Sequence, residues 1–218
     1  MNEYKKVPKH IGIIPDGNRR WAVENQLHKK DGYFHGIDPG FQLYELMLAH
    51  GVEEATFYGF THDNTKRPAN QKAAFIDACV QAVDHLAHRD ANLLVIGNQE
   101  SSVFPKALLP YANKRVKFGK GLINLNFLVN YDWKWDLNQG WGTQKSGNMC
   151  TAGIASSDIS RIDLIIRWGG RRRLSGFLPV QSVYSDIYVI DDYWPDFKKE
   201  HFLEALNWYQ TTDVTLGG

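Results

Sequence analysis

His10-Ile-Gly-Ile-Ile-Pro-Asp16-Gly-Asn-Arg-Arg-Trp-Ala22 is the stretch that decides how this chain folds. His10–Ile14 reads as a strand that ends at Pro15-Asp16-Gly17. Asp16 or Asn18 can then cap a helix running through Arg20, Trp21 and Ala22. A strand that turns directly into a helix is half of a βαβ unit, and the alternation continues along the chain. Phe41–His50 carries Phe41, Leu43, Leu46, Met47 and Leu48 at helical spacing, and Gly51 stops it. Ala55–Phe60 reads as a second strand. Lys72–His88 is a strong helix, with Ala73, Phe75, Ile76, Cys79, Val80, Val83 and Leu86 recurring at three- and four-residue steps.

Leu93–Ile96 is the next strand, closed by Gly97. Pro105–Phe118 reads as a basic, exposed helix, Leu122–Val129 as a strand, Leu164–Ile166 and Ile187–Ile190 as two more, and Phe202–Tyr209 as a final helix. Strands separated by helices of about 10–17 residues predict parallel βαβ units. The expected fold class is therefore α/β: a single domain over residues 1–218 with a mostly parallel central sheet flanked by helices. Asn138–Ser157, rich in Gly, Ser, Thr and Asn, interrupts the pattern and reads as a mobile loop or lid, or as a plain connection.

In open parallel sheets ligands sit beyond the carboxyl ends of the strands. Pro15–Asn18, Thr61–Pro68 and Arg167–Ser175 all follow predicted strands, which puts three polar motifs on one rim. The densest is Arg167-Trp-Gly-Gly-Arg171-Arg-Arg173-Leu-Ser175, four guanidiniums threaded between apolar runs. Ions leave water at a cost of several kcal/mol unless paired, and the planar guanidinium suits phosphate oxygens. That run predicts an anion pocket for more than one phosphate. Asp16, among the donors of Gly17, Asn18, Arg19 and Arg20, would repel a phosphate unless a cation bridges them, which suggests Mg²⁺. On spacing alone, a plain helix cap with solvated arginines explains Asp16 equally well.

Whole-chain properties exclude several classes. The chain has 218 residues, 43% hydrophobic and 22% charged, with a net charge of +1. Bulk attraction to nucleic acid is not expected, and Lys114, Arg115, Lys117 and Lys120 read as a solvated helix face. The two cysteines, Cys79 and Cys150, have no metal-ligand or CxxC spacing, which fits a reducing, cytoplasmic setting. The N-terminus lacks the apolar core of a signal peptide, and no run approaches the roughly 18 apolar residues of a membrane helix.

Five motifs run in one order over roughly residues 8–209: Asp16-Gly-Asn-Arg-Arg-Trp-Ala22, Tyr58-Gly-Phe-Thr61-His-Asp-Asn64-Thr-Lys-Arg67-Pro68, Asn130-Tyr131, Asp163-Leu-Ile-Ile-Arg167 through Ser175-Gly-Phe177, and Tyr193-Trp-Pro-Asp-Phe197. Together they resemble the cis-prenyltransferase family. The resemblance implies a prenyltransferase that acts on allylic and homoallylic prenyl diphosphates, requires Mg²⁺, pairs into a homodimer and houses the growing chain in an apolar tunnel. It implies that Asp16 holds Mg²⁺ and that Gly17, Asn18, Arg19, Arg20, Trp21 and Lys29 bind the allylic diphosphate. Thr61 and Asn64 would lie near the reacting groups, with Arg67 beside them. Arg167, Arg173 and Ser175 would form the acceptor site, and Asp186 would be a second metal ligand.

Departures from the family pattern point further. Asp31-Gly32-Tyr33 replaces the usual Gly-His. Thr65 replaces a tryptophan. Arg171 stands where Gly-Gly-Glu has its acid, and Trp168 precedes it. The stretch from Trp135 to Asp163 is short, as if a helix were missing. Phe127 and Leu128 put bulk where long-chain enzymes have smaller residues, and the helix Lys72–His88 with Phe41 and Leu46 could line the tunnel. The bulk at Phe127 and Leu128 implies a short product, while the altered Tyr33 segment, the lost Gly-Gly-Glu acid and the short middle resemble the irregular, lavandulyl-type branch, which joins two five-carbon units head-to-middle. Ordinary cis-1'-4 elongation to a short product, a catalytically silent partner subunit and transfer to a non-isoprenoid acceptor are the alternatives. His62, inside the second motif, is a further candidate.

Overall fold

The computed structural model describes residues 4–86, 88–139 and 153–213. The elements run β1 (His10–Ile14), α1 (Asn18–Glu24), α2 (Ile37–His50), β2 (Glu54–Tyr58), α3 (Ala69–Leu86), β3 (Ala91–Ile96), β4 (Val116–Lys117), β5 (Ile123–Leu128), α4 (Trp133–Asn138), β6 (Leu164–Arg167), β7 (Asp186–Val189) and α5 (Lys199–Tyr209). Short 3₁₀ turns cover Asp31–Gly36, His62–Lys66, Lys106–Tyr111 and Trp194–Asp196.

Seven strands form one sheet in the order β4-β3-β5-β2-β1-β6-β7, and every pairing is parallel except β3 with the short edge strand β4. The chain leaves β1 toward β2 on one side and returns to β6 on the other. The order therefore reverses between β1 and β6, where ligands gather in such sheets. Register places Ile14 opposite Arg167. Asp16 and Arg167 thus emerge side by side over that switch point.

Alternation along the strands divides the interior into two layers. Ile11, Ile13, Ala55, Phe57, Leu125, Phe127 and Ile166 pack with α2, α3 and α5 through residues such as Leu43, Met47, Val83 and Phe202. Ile14, Leu94, Ile96, Leu128 and Ile165 pack on the opposite face with Ile159, Ile162, Phe177 and Leu178. Phe127 and Leu128 therefore act on different sides of the sheet, and only Phe127 can influence the helical side.

Pro105–Phe118 departs from its expected helix. A 3₁₀ turn at Lys106–Tyr111 contains Pro110, which has no N–H to continue a ladder, and the chain then extends into β4. Residues 140–152 of the expected lid lie outside the described residues. Its downstream end is fixed by Asp136, whose buried carboxylate accepts hydrogen bonds from Tyr131 Oη (2.7 Å), Ser156 N (2.9 Å) and Ser156 Oγ (2.7 Å). Among the described residues no helix is long and apolar enough to cross a membrane.

Candidate active site

Two cavities meet at the carboxyl ends of β1, β2 and β6. The larger is a polar cleft of about 760 Å³. Asp16, Gly17, Asn18, Arg19 and Arg20 line it from the β1–α1 turn, and Thr61, Asn64 and Arg67 from the segment after β2. Lys29 lines it from the loop after α1, and Arg167, Arg171, Arg173 and Ser175 from the loop after β6. Among the described lining residues, seven arginines and lysines face three carboxylates, those of Asp16, Glu24 and Asp63. Such an excess of guanidinium suits the entry of anions with several oxygens.

Asp16 is no helix cap. Gly17, at φ +105°, occupies the N-cap of α1, and no side chain caps it. The Asp16 carboxylate turns instead across the switch point. Its Oδ2 lies 2.7 Å from Arg167 Nη2, and its Oδ1 accepts from Gly17 N (2.6 Å) and sits 3.5 Å from Arg20 Nη2. The Arg167 side chain is only 4% exposed, whereas that of Asp16 is 35% exposed to the cleft. Arg167 Nη1 also donates to the Arg173 carbonyl and to Ser175 Oγ (3.1 Å), so one buried guanidinium ties β6, its loop and β1 together.

Ser175 has φ +55°, an uncommon conformation for a residue with a side chain, and Tyr58 Oη holds its carbonyl at 2.7 Å. Burial raises the pKa of Tyr58 well above the usual phenol range, so this hydroxyl stays a donor. Thr61 and Asn64 form a compact turn in which Asn64 Oδ1 accepts from Thr61 N at 3.1 Å. Lys29, Arg171 and the Arg173 guanidinium make no hydrogen bond or ion pair with protein among the described residues.

The second cavity, about 80 Å³, is apolar and opens beside the cleft. Tyr33, Phe75 and Asn18 line both spaces. The Tyr33 ring stacks on Phe75 at 4.5 Å, and Arg67 Nη1 donates to Tyr33 Oη at 2.9 Å. Burial raises the Tyr33 pKa against the pull of Arg67 and lowers that of Arg67 against the pull of Tyr33. Inside lie Phe41, Cys79, Leu86 and a stacked pair, Phe57 and Phe127, with centroids 5.2 Å apart. Burial pushes the Cys79 thiol up to about 12, so Cys79 serves as an apolar wall.

Two expected site residues are placed elsewhere. Trp21 does not line the cleft: its indole N–H donates to Asp196 Oδ1 at 2.7 Å and its ring packs on His35 at 4.6 Å, which ties α1 to the Trp194–Asp196 turn. Asp186 begins β7 and pairs in register with Leu164, whereas Arg167 pairs with Val189. Three residues of parallel strand, roughly 10 Å, separate it from the cleft end of the sheet, so within one chain it cannot share an ion with Asp16. His62 is exposed and outside the cleft. Tyr58, Tyr193 and Glu24 line the cleft without having been singled out as site residues. A hydrogen bond from Tyr193 Oη to Glu24 (2.6 Å) closes the rim beside Arg20.

Among the described residues no three His, Cys, Asp or Glu side chains stand close enough to form a metal site by themselves. Asp16 alone, partly exposed and surrounded by arginines suited to phosphate, matches the way Mg²⁺ is held by one or two carboxylates plus substrate phosphates. The residues present fit Mg²⁺ bound in that mode.

Comparison with known proteins adds a lineage to this geometry. A family model described as "Putative undecaprenyl diphosphate synthase" matches residues 14–217. The ditrans,polycis-undecaprenyl-diphosphate synthase, (2E,6E)-farnesyl-diphosphate specific, of Pseudomonas putida is 32% identical over 92% of this chain and 86% of its own length. The enzyme of the same description from Escherichia coli K12 is 29% identical over 96% of this chain and 90% of its own. Among solved structures, lavandulyl diphosphate synthase from Lavandula x intermedia, crystallised with dimethylallyl diphosphate, superposes with a TM-score of 0.82 at 20% identity. That match covers 97% of this chain and 98% of that one.

Proposed function

We infer, since this chain belongs to the undecaprenyl diphosphate synthase family of cis-prenyltransferases, that it condenses an allylic diphosphate with a second five-carbon diphosphate to a short, branched product by head-to-middle coupling. The observation that carries the short product is the size of the apolar cavity. At about 80 Å³ it is smaller than the roughly 150 Å³ hole that accepts benzene in other proteins, so it holds little more than one isoprene unit. Phe127 and Phe57 line it with stacked rings.

The two diphosphates would lie on either side of the Asp16–Arg167 pair. Gly17, Asn18, Arg19, Arg20 and Lys29 would hold the allylic one, and Arg67 would reach it from beneath Tyr33. Arg167, Arg173 and Ser175 would hold the acceptor, and Thr61 and Asn64 would border the reacting carbons. Asp16 and the allylic phosphates would hold Mg²⁺, which would supply positive charge against the departing diphosphate. The allylic C–O bond breaks with its electron pair on oxygen, the acceptor alkene forms the new C–C bond, and a proton leaves the acceptor carbon skeleton. The arginines stabilise the leaving polyanion. At an effective dielectric of 20, a unit-charge contact at about 4 Å is worth roughly 4 kcal/mol.

Arg171 supports the irregular branch, because it adds an unpaired cation to the cleft where the ordinary pattern has an acid. One dimethylallyl diphosphate would ionise as donor and a second would keep its diphosphate as acceptor, with Arg171 adding positive charge beside them. The full complement of Asn64, Arg67, Arg167, Arg173 and Ser175 in the cleft favours a second reading, ordinary cis-1'-4 elongation with isopentenyl diphosphate to a short product. We further propose that the enzyme works in the cytoplasm as a homodimer. The open edge of β7, flanked by exposed Val183, Tyr184 and Ile187, supports pairing there.

The decisive assay incubates the protein and Mg²⁺ with dimethylallyl, geranyl or farnesyl diphosphate, with and without isopentenyl diphosphate, and identifies the dephosphorylated alcohols by mass spectrometry. A branched ten-carbon alcohol from dimethylallyl diphosphate alone is the expected result. Linear products that appear only with isopentenyl diphosphate would establish the second reading. No turnover in any combination would leave a silent subunit.

A further inference from the structure

The di-glycine between Arg167 and Arg171 adopts a conformation that the loop alone does not specify. Gly169 and Gly170 have φ +81° and +70°. A Cβ on Gly169 would fall 2.6 Å from Arg20 Nη2 and 3.1 Å from the Asp16 carbonyl. In this pose the Gly169 carbonyl accepts from Arg20 Nη2 at 2.9 Å, which sets Arg20 beside Asp16. The same turn sends Arg171 into the cleft.

A chain of hydrogen bonds closes around this turn from behind, buried at Trp168 and His201 and open to solvent at Asp192. Trp168, fully buried, donates its indole N–H to His201 Nδ1 at 3.3 Å. Lys198 N–H donates to the same nitrogen at 3.2 Å. Two donors on Nδ1 fix it as the acceptor and leave the proton on Nε2, which lies 3.0 Å from Asp192 Oδ2. The Asp192 backbone carbonyl in turn accepts from Gly169 N–H at 2.8 Å. The path from Trp168 through His201 and Asp192 thus returns to the residue after Trp168. The Trp168 ring also stands edge-on to Trp194, 4.8 Å away, and Trp194 N–H donates to the Asp16 carbonyl at 3.0 Å.

We propose that Trp168, His201 and Asp192 are positioning residues that hold the Gly169 peptide, and through it Arg20 and Asp16, in the geometry that receives a diphosphate. None of the three lines the cleft, so they act only through the groups they hold. The proposal rests on the diphosphate reading of the cleft and assigns it a buttress.

The test uses the full chain with Trp168→Phe and His201→Phe, both of which keep an aromatic ring. His201→Asn, whose Oδ1 keeps an acceptor near the position of Nδ1, is the conservative variant. Titration calorimetry with inorganic diphosphate and Mg²⁺ should show a dissociation constant raised about tenfold in His201→Phe and severalfold in Trp168→Phe, with partial recovery in His201→Asn. Hydrogen exchange at the Gly169 and Gly170 amides should accelerate in the same order, and melting temperatures should not follow that order. Faster exchange with unchanged diphosphate affinity would overturn the positioning role, as would unchanged exchange in all three variants. Absence of diphosphate binding by the unaltered protein would instead sink the reading of the cleft.

Discussion

Asp16 Oδ2 and Arg167 Nη2 lie 2.7 Å apart, across the point between β1 and β6 where strand order reverses. The pair joins the two halves of the cleft, so a change at either residue reaches both halves. Arg167 is nearly buried and keeps Ser175 Oγ and the Arg173 carbonyl as acceptors when Asp16 is altered. Asp16→Asn should therefore cost only about 1–3 kcal/mol of stability. It should lower kcat about 10²–10³-fold, because the carboxylate proposed to hold Mg²⁺ is gone. Thermal melting together with steady-state rates at saturating Mg²⁺ checks this. An Asp16→Asn variant that turns over at the parental rate removes Asp16 from the metal role.

Arg171 has no protein partner among the described residues, so its charge is available to ligand. Arg171→Glu should leave the melting temperature within a few degrees and raise the KM of the acceptor about tenfold, with a stronger effect at low ionic strength. If Arg171 favours two allylic substrates, the variant also shifts product from branched toward linear alcohols when both C5 diphosphates are supplied. Equal product ratios in the two proteins would detach Arg171 from the choice of coupling.

Phe127 and Leu128 are neighbours in sequence but lie on opposite faces of β5. Phe127→Ala removes half of the stacked pair that lines the apolar cavity. It should cost about 3–5 kcal/mol of stability and let products lengthen by one or more C5 units. Leu128→Ala should cost about 2–5 kcal/mol and leave product length unchanged. Mass spectrometry of the dephosphorylated products from both variants separates a cavity floor from general loosening of the core. Lengthening in both, or in neither, would mean that Phe127 does not limit the chain.

The parallel sheet and the cleft were legible because short-range signals define them. A strand followed by Pro-Asp-Gly, and an apolar run followed by arginines, say where the chain turns and what it carries there. Side-chain direction was less legible. Trp21 sits among cleft residues in sequence, yet its indole reaches Asp196, 175 residues away. Asp186 has the right charge for a metal ligand but begins β7, three residues from the cleft end of the sheet within one chain, a matter of register that sequence does not print. Tyr33 stood out as an odd residue, but its place between Phe75 and Arg67 depends on the packing of a 3₁₀ turn against α3. The basic helix expected over Pro105–Phe118 failed because Pro110 outweighed the apolar spacing around it.

His10 supplies a prediction far from the chemistry. It starts β1 with its side chain buried, Nε2 at 2.8 Å from Thr56 Oγ1 and Nδ1 at 3.0 Å from the Ser160 carbonyl. Asn126 links the same Thr56 hydroxyl to Glu54 Oε1, which also faces Arg115. Burial lowers the His10 pKa below its ordinary 6.5, and the charges of Glu54 and Asp163 only partly oppose it. The unfolded chain therefore takes up this proton first. Stability from His10 is complete above pH 6.5 and is lost as pH falls below it, by up to about 1.4 kcal/mol per pH unit. His10→Gln keeps a polar head of similar reach and cannot titrate, so it should be less stable than the parent at pH 7.5, with a gap that narrows by pH 5.5. Urea unfolding of both proteins at the two pH values measures that gap. A gap that stays constant would show that His10 binds its proton equally well folded and unfolded.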